Sequence, residues 1–149
     1  MYIYFLLSLF IVLLDWATKL IIHHALQLGD VIAVLPFFNI VYVRNYGISF
    51  SMFSHAGPLV LTLMACIISI GVCYCLIKTH SRLSKVCYAL ILGGAVGNII
   101  DRVYLGSVID FLDFYIGHWH WPAFNVADSA ICIGVALLIY QSVFMKEKK

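Results

Sequence analysis

Charged residues are scarce in this chain of 149 residues: Asp, Glu, Lys and Arg make up 11% of positions, and 64% are apolar. Soluble domains typically have about 25% charged and about 45–50% apolar residues. So little charge excludes a globular fold with a water-exposed surface. The basic residues also form no stripe that could follow a phosphate backbone, which argues against nucleic-acid binding.

Paired cysteine motifs are absent as well. The sequence contains no C-x-x-C pair, and its five cysteines all lie in apolar stretches. A thiol in such surroundings behaves as a small hydrophobic group, so we interpret the cysteines as structural. His118 and His120, together with His23 and His24, lack a further ligand at a spacing typical of metal sites. We therefore expect no metal site.

Four stretches are long and apolar enough to cross a bilayer. The clearest runs from Pro58 to Ile77, 20 residues without a charge, which corresponds to about 30 Å of helix. The first stretch lacks a basic leader and a small-residue cleavage site, so we expect it to remain as a span. The predicted spans are residues 2–22, 58–77, 86–101 and 127–144. The fold class is thus an all-α integral membrane protein, with residues 1–149 as one domain.

Basic residues predict the orientation of the four spans. They concentrate in the connection between spans two and three and in the C-terminal tail: Lys78, Arg82, Lys85, Lys146, Lys148 and Lys149. The positive-inside rule then places both termini in the cytoplasm. The connections 23–57 and 102–126 lie at the outer face. The first is rich in β-branched and aromatic residues and predicts a small hairpin on the membrane surface, and the second is typical of a segment at headgroup depth.

Most acidic residues fall in one layer under this topology. Asp15 and Lys19 lie in the outer half of the first span, and five of the seven acidic residues belong to the same outer layer, namely Asp15, Asp101, Asp110, Asp113 and Asp128. Carboxylates within or beside a membrane are costly and by default indicate a functional site.

Structural roles compete with this interpretation. Asp15 and Lys19, four positions apart, can simply neutralise each other on one helix face. Asp101 beside Arg102 is typical of a structural ion pair at a helix end. The spacing of Gly93, Gly94 and Gly97 predicts close helix packing, and Asn98 can bridge helices by hydrogen bonds.

Asp110 and Asp128 have no basic residue within four positions, so an ion-pairing role is less convincing for them. Two neighbouring carboxyl groups cannot both ionise easily, and such a pair can activate water with one member and protonate a carbonyl oxygen with the other. Spacing does not select this pair over Asp113 or Asp101. A four-helix thiol oxidoreductase and a small transporter subunit remain alternatives.

Five blocks of the sequence resemble those of the lipoprotein signal peptidase family, also called signal peptidase II. In order along the chain, they are Asp15–Lys19, Asn45–Phe50, Gly93–Arg102, Val108–Phe111 and Phe124–Asp128. Trp16 and Ser49 depart from the family, which usually has Gln and Ala at these positions. Because of these departures, the resemblance does not predict the roles of Trp16 and Ser49, the local packing around them or their substrate contacts.

The resemblance implies an aspartic endopeptidase in which Asp110 and Asp128 form the catalytic dyad and Asp113 is a bystander. It implies that further residues support the site or bind substrate: Asp15, Lys19, Asn45, Gly47, Asn98, Asp101, Arg102 and Asn125. The implied substrate is a diacylglyceryl-modified prolipoprotein, cleaved on the N-terminal side of its lipidated cysteine. The implied location is the bacterial inner membrane, in contact with lipid, with the active site near the outer face. We expect a monomer that needs no cofactor.

Overall fold

Four long helices dominate the computed structural model, which describes residues 1–47 and 57–145. The helices are α1 (Tyr2–Ala25), α2 (Gly57–Lys78), α3 (Arg82–Leu105) and α4 (Val126–Phe144). Each is long and apolar enough to cross a membrane. Every predicted span lies within one of these helices, and the prediction of a four-helix membrane fold is confirmed.

Helix α3 extends beyond its predicted span at both ends. It begins at Arg82 because the side chain of Ser81 accepts a hydrogen bond from the backbone N–H of Ser84 at 3.3 Å, which is the N-cap arrangement. It ends before Gly106, whose φ of 69° lies in the left-handed region, as is common where a helix stops. The added turns bring Arg102 and the following residues into regular helix near the layer that holds Asp15, Asp101, Asp110 and Asp128, the polar layer.

Helix α3 is also the centre of the bundle, because it packs against α1, α2 and α4. Its glycines permit this close packing, because they have no side chain between α3 and the neighbouring helices. A Cβ atom on Gly93 would lie 2.7 Å from the carbonyl oxygen of Ser8 in α1, and one on Gly94 would overlap the carbonyl oxygen of Ala127 in α4. Close helix packing at these glycines is therefore confirmed.

A small antiparallel sheet lies at one end of the bundle. Its strands are β1 (Val31–Leu35), β2 (Phe38–Asn45), β3 (Val108–Ile116) and β4 (Trp119–His120), which are neighbours in that order. The predicted hairpin is present as β1 and β2. Strand β3 was not predicted, since its aromatic residues indicated only a segment at headgroup depth.

The sheet is fixed to the bundle by a small apolar core. Ile22, near the end of α1, packs with Tyr42 of β2 and with Ile109 and Phe111 of β3. Strand β3 follows α3 directly, and α4 begins soon after β4. The chain thus reaches the same end of the bundle twice, after α1 and after α3, and polar residues from distant segments meet there.

Candidate active site

Lys19 is the central cation of the polar layer. Its ammonium group lies 2.7 Å from the carboxylate of Asp15 and 3.0 Å from that of Asp101, and it donates to Oδ1 of Asn98 at 3.1 Å. Lys19 and both carboxylates are buried. The expected ion pair between Asp101 and Arg102 was wrong, because adjacent helical residues point in different directions and Asp101 turns to Lys19 instead.

The same two carboxylates hold neighbouring elements in place. Oδ1 of Asp15 accepts a hydrogen bond from the backbone N–H of Ala127 at 2.8 Å, in the first turn of α4. Oδ2 of Asp101 accepts one from the backbone N–H of Ile109 at 3.0 Å, in β3. The Lys19 cluster therefore fixes the two segments that carry Asp110 and Asp128.

Asn125 connects those two aspartates. Its Nδ2 donates to Oδ1 of Asp110 at 2.7 Å, and its Oδ1 accepts from the backbone N–H of Asp128 at 2.9 Å. The second contact makes Asn125 the N-cap of α4. Two more amides complete the arrangement: Asn45 donates to Oδ2 of Asp110 at 3.0 Å, and Asn98 donates to Oδ1 of Asp128 at 2.7 Å.

The Asp110 carboxyl is 2% exposed. Burial raises the pKa of Asp110 to about 7, the negative charge of Asp128 adds to the rise, and the amide donors Asn45 and Asn125 oppose it. A carboxyl group with such a pKa can keep its proton near neutral pH while a second carboxylate beside it is ionised. This is the property that a general acid needs when it works beside a general base.

Arg102 brings a positive charge to the same place. Its guanidinium group donates to the carbonyl oxygens of Gly47 at 2.8 Å and Asn98 at 3.3 Å, and it interacts electrostatically with Asp128 and Asp110. Gly47 thus takes part in the site through its backbone.

Two residues depart from the family pattern. Ser49 lies outside the described residues, and Trp16 is 52% exposed on α1.

Asp113 has different partners. Its carboxylate accepts from Asn39 at 2.8 Å and lies 2.9 Å from Nδ1 of His120. These contacts tie β2, β3 and β4 together, so Asp113 has a structural role in the sheet.

The cysteines lie within α2, α3 and α4, and all are free thiols: Cys66, Cys73, Cys75, Cys87 and Cys132.

Comparison with known proteins identifies the family. The family model described as signal peptidase (SPase) II matches residues 7–144. The chain belongs to the signal peptidase II family. This is a family of aspartic peptidases, and the comparisons give no support to a thiol oxidoreductase or a transporter.

Curated relatives of the signal peptidase II family cover most of the chain. The lipoprotein signal peptidases of Paraburkholderia phymatum and Burkholderia mallei are each 44% identical to it over 141 residues, which is 91% and 92% of this chain and 84% and 85% of theirs. That of Salmonella newport is 40% identical over 142 residues, 91% of this chain and 85% of its own.

Two solved structures of bacterial membrane enzymes are similar to this chain. A bacterial membrane enzyme determined by the in meso method at 2.3 Å resolution has a TM-score of 0.87 and 35% identity, over all of this chain and 94% of the other. A second, at 1.9 Å resolution, has a TM-score of 0.85 and 36% identity over 97% and 94%.

Backbone groups are the part of this signal peptidase II site that sequence reasoning missed. The N–H groups of Ala127 and Ile109 and the carbonyl oxygen of Gly47 each bind a charged side chain. Nothing in the residue types of Ala127 or Ile109 indicates such a contact, since every residue but proline carries the same donor.

Proposed function

We propose that this chain removes signal peptides from diacylglyceryl-modified prolipoproteins by cleaving on the N-terminal side of the lipidated cysteine, with Asp110 and Asp128 as the catalytic pair. Family membership supports the reaction. One geometric observation supports the residues: Asn125 is hydrogen-bonded to both aspartates, through its side-chain amide to Asp110 and through the helix cap to Asp128.

In the proposed reaction, one ionised aspartate takes a proton from a water molecule as that water attacks the scissile carbonyl carbon. The other aspartate donates its proton to the carbonyl oxygen. The tetrahedral intermediate then collapses when a proton is returned to the leaving nitrogen. The guanidinium of Arg102 and the amide groups around the pair stabilise the negative charge that develops on the oxygens of the tetrahedral intermediate.

The location of the site suits a lipidated substrate. The polar layer lies at the C-terminal end of α3 and the N-terminal end of α4, opposite the end where Lys78 and Arg82 lie. By the positive-inside rule, the sheet end faces outward and both termini are cytoplasmic. The diacylglyceryl tails then stay in the inner-membrane bilayer while the peptide bond reaches the site at headgroup depth. We propose that a monomer suffices, because one chain supplies both aspartates.

Cleavage of a defined precursor tests the substrate and the dyad. Purified full-length protein should cut lipidated prolipoprotein and leave the unlipidated form intact. Asp110→Asn and Asp128→Asn should each lose at least about 100-fold in turnover, since each removes an acid or base. Asp113→Asn is the matched control on the same strand and should keep its activity. Normal cleavage by either dyad variant would refute the assignment, and equal cleavage of unlipidated precursor would refute the substrate class.

A further inference from the structure

Three asparagine amides face the catalytic pair, and two of them are oriented by the backbone. Oδ1 of Asn45 accepts from the N–H of Gly47 at 2.9 Å, and Oδ1 of Asn125 accepts from the N–H of Asp128 at 2.9 Å. A backbone N–H can only donate, so each amide must turn its carbonyl to the backbone and its NH₂ away. The NH₂ groups of Asn45 and Asn125 therefore both point to Asp110.

The third amide, Asn98, is oriented by a charge. Its Oδ1 lies 3.1 Å from the ammonium of Lys19, and its Nδ2 donates to Oδ1 of Asp128 at 2.7 Å. An ammonium group has three donors and no acceptor, so the carbonyl end of Asn98 is the only end that can face it. Lys19 is itself held by Asp15 and Asp101. Nδ2 of Asn125 also donates to Oδ1 of Asn98, at 3.3 Å, a longer contact than that of the ammonium. Because of the ion-pair cluster, with this second donor beside it, Asn98 presents its NH₂ group to Asp128.

A donated hydrogen bond favours the ionised form of a carboxyl group, and so does a nearby cation. Asp128 receives both, from Asn98 and from the charges of Lys19 in α1 and Arg102 in α3, and these contacts oppose the effect of its burial. The other charged group that faces it is Asp110 of β3, whose hydrogen-bond partners within the described ranges 1–47 and 57–145 are the neutral amides of Asn45 and Asn125. The charges of Lys19 and Arg102 act on Asp110 as well. The two members of the pair differ in one respect, because the side-chain amide that donates to Asp128 is itself held by the ammonium of Lys19.

We propose that Lys19 is a positioning residue: by fixing the direction of the Asn98 amide, it keeps Asp128 ionised, so that Asp128 is the base and Asp110 the acid. This inference rests on the proposed peptidase function. It assigns Lys19 a role beyond that of neutralising Asp15, because the effect reaches Asp128 through a second side chain.

The test is the pH dependence of kcat/KM for lipidated prolipoprotein, measured with full-length protein. The variant is Lys19→Met combined with Asp15→Asn, which removes one positive and one negative charge and so preserves the net charge of the cluster. Asp15→Asn alone is the reference, since it differs only at Lys19, and the comparison therefore reports the loss of the ammonium charge together with the loss of the oriented contact. Loss of an oriented, charge-assisted contact should move the acidic limb of the profile to higher pH by about one unit relative to that reference. A purely structural role for Lys19 would lower the amount of folded enzyme and leave the limb in place.

A second variant covers the case in which the double variant does not fold. Asn98→Asp keeps Lys19 and the side-chain size, but it replaces the donor that faces Asp128 with an acceptor. The acidic limb should move in the same direction. In a background of Asn98→Leu, Lys19→Met should cause a smaller shift, because only the direct charge of Lys19 then acts on Asp128. An equal shift in both backgrounds would show that Lys19 does not act through Asn98 and would overturn the inference.

The outcomes separate this inference from the proposed function. If the wild-type protein does not cleave the lipidated precursor, the proposed function fails. If it cleaves and folded variants at Lys19 or Asn98 keep the wild-type acidic limb, the positioning role is wrong and the peptidase function stands.

Discussion

Gly94→Ala should inactivate the protein from a position that carries no chemistry. A methyl group at Gly94 of α3 would overlap the carbonyl oxygen of Ala127 and lie 2.8 Å from Cγ1 of Ile131, both in α4. An ordinary contact at these atoms is 3.4–4 Å, so α4 must move away by an amount on the order of 1 Å. Asp128 follows Ala127 directly, and the displaced segment therefore includes half of the proposed dyad.

Two magnitudes follow from this displacement. Overpacking of a tight contact costs about 1–3 kcal/mol of folding free energy, and a displacement of about 1 Å at a reacting group can cost on the order of 100-fold in rate. Thermal unfolding in detergent and turnover of lipidated prolipoprotein measure the two effects separately.

Gly71→Ala is the matched control. Gly71 lies within α2, and a Cβ atom there would meet nothing within 4 Å, so the substitution should raise helix stability by up to about 1 kcal/mol. Wild-type turnover by Gly94→Ala, or equal effects of the two substitutions, would refute the argument that α3 sets the position of Asp128.

Two further predictions concern Asp110 and its amide partner. Because the pKa of Asp110 rises from 3.8 to about 7 on folding, the folded chain keeps a proton that the unfolded chain releases between these two pH values. The free energy of unfolding should therefore fall as pH rises from about 4 to about 7 and level off above that range. Thermal unfolding measured against pH should show this slope for the wild type, and the same slope in Asp110→Asn would contradict the assignment. Asn125→Ala should lower stability by about 1 kcal/mol through loss of the α4 cap, whereas Asn125→Ser keeps a capping hydroxyl. Both should reduce turnover, since each removes the amide that donates to Asp110, and a fully active Asn125→Ser would show that the cap alone matters.

The sequence predicts the membrane helices well because their signal is local. A run of 20 uncharged residues such as 58–77 can satisfy its backbone in lipid only as a helix. The predicted hairpin is likewise local, since β1 and β2 are adjacent in the chain. Strand β3 is different, because its residues pair with β2, more than 60 positions earlier, and its own pattern is interrupted by Asp110 and Asp113.

The contacts of the site were less predictable than its residues. The motifs indicate that Lys19, Asp101 and Asn98 belong to one site, and spacing alone suggested that Asp101 pairs with its neighbour Arg102. The ion pair with Lys19 joins α1 to α3 and depends on how far each helix is rotated. That rotation is set by glycine contacts such as Gly97 against Asp15, and the spacing of the glycines predicts close packing without indicating which residues they meet.

Helix α2, all of which the structure describes, packs mainly against α3 and has no charged residue before Lys78. None of its side chains belongs to the polar layer. Substitutions in α2 that keep the side chains apolar can therefore adapt the protein to bilayers of another thickness or fluidity without changing the positions of the carboxylates. Engineering for expression or crystallisation can begin on this helix for the same reason.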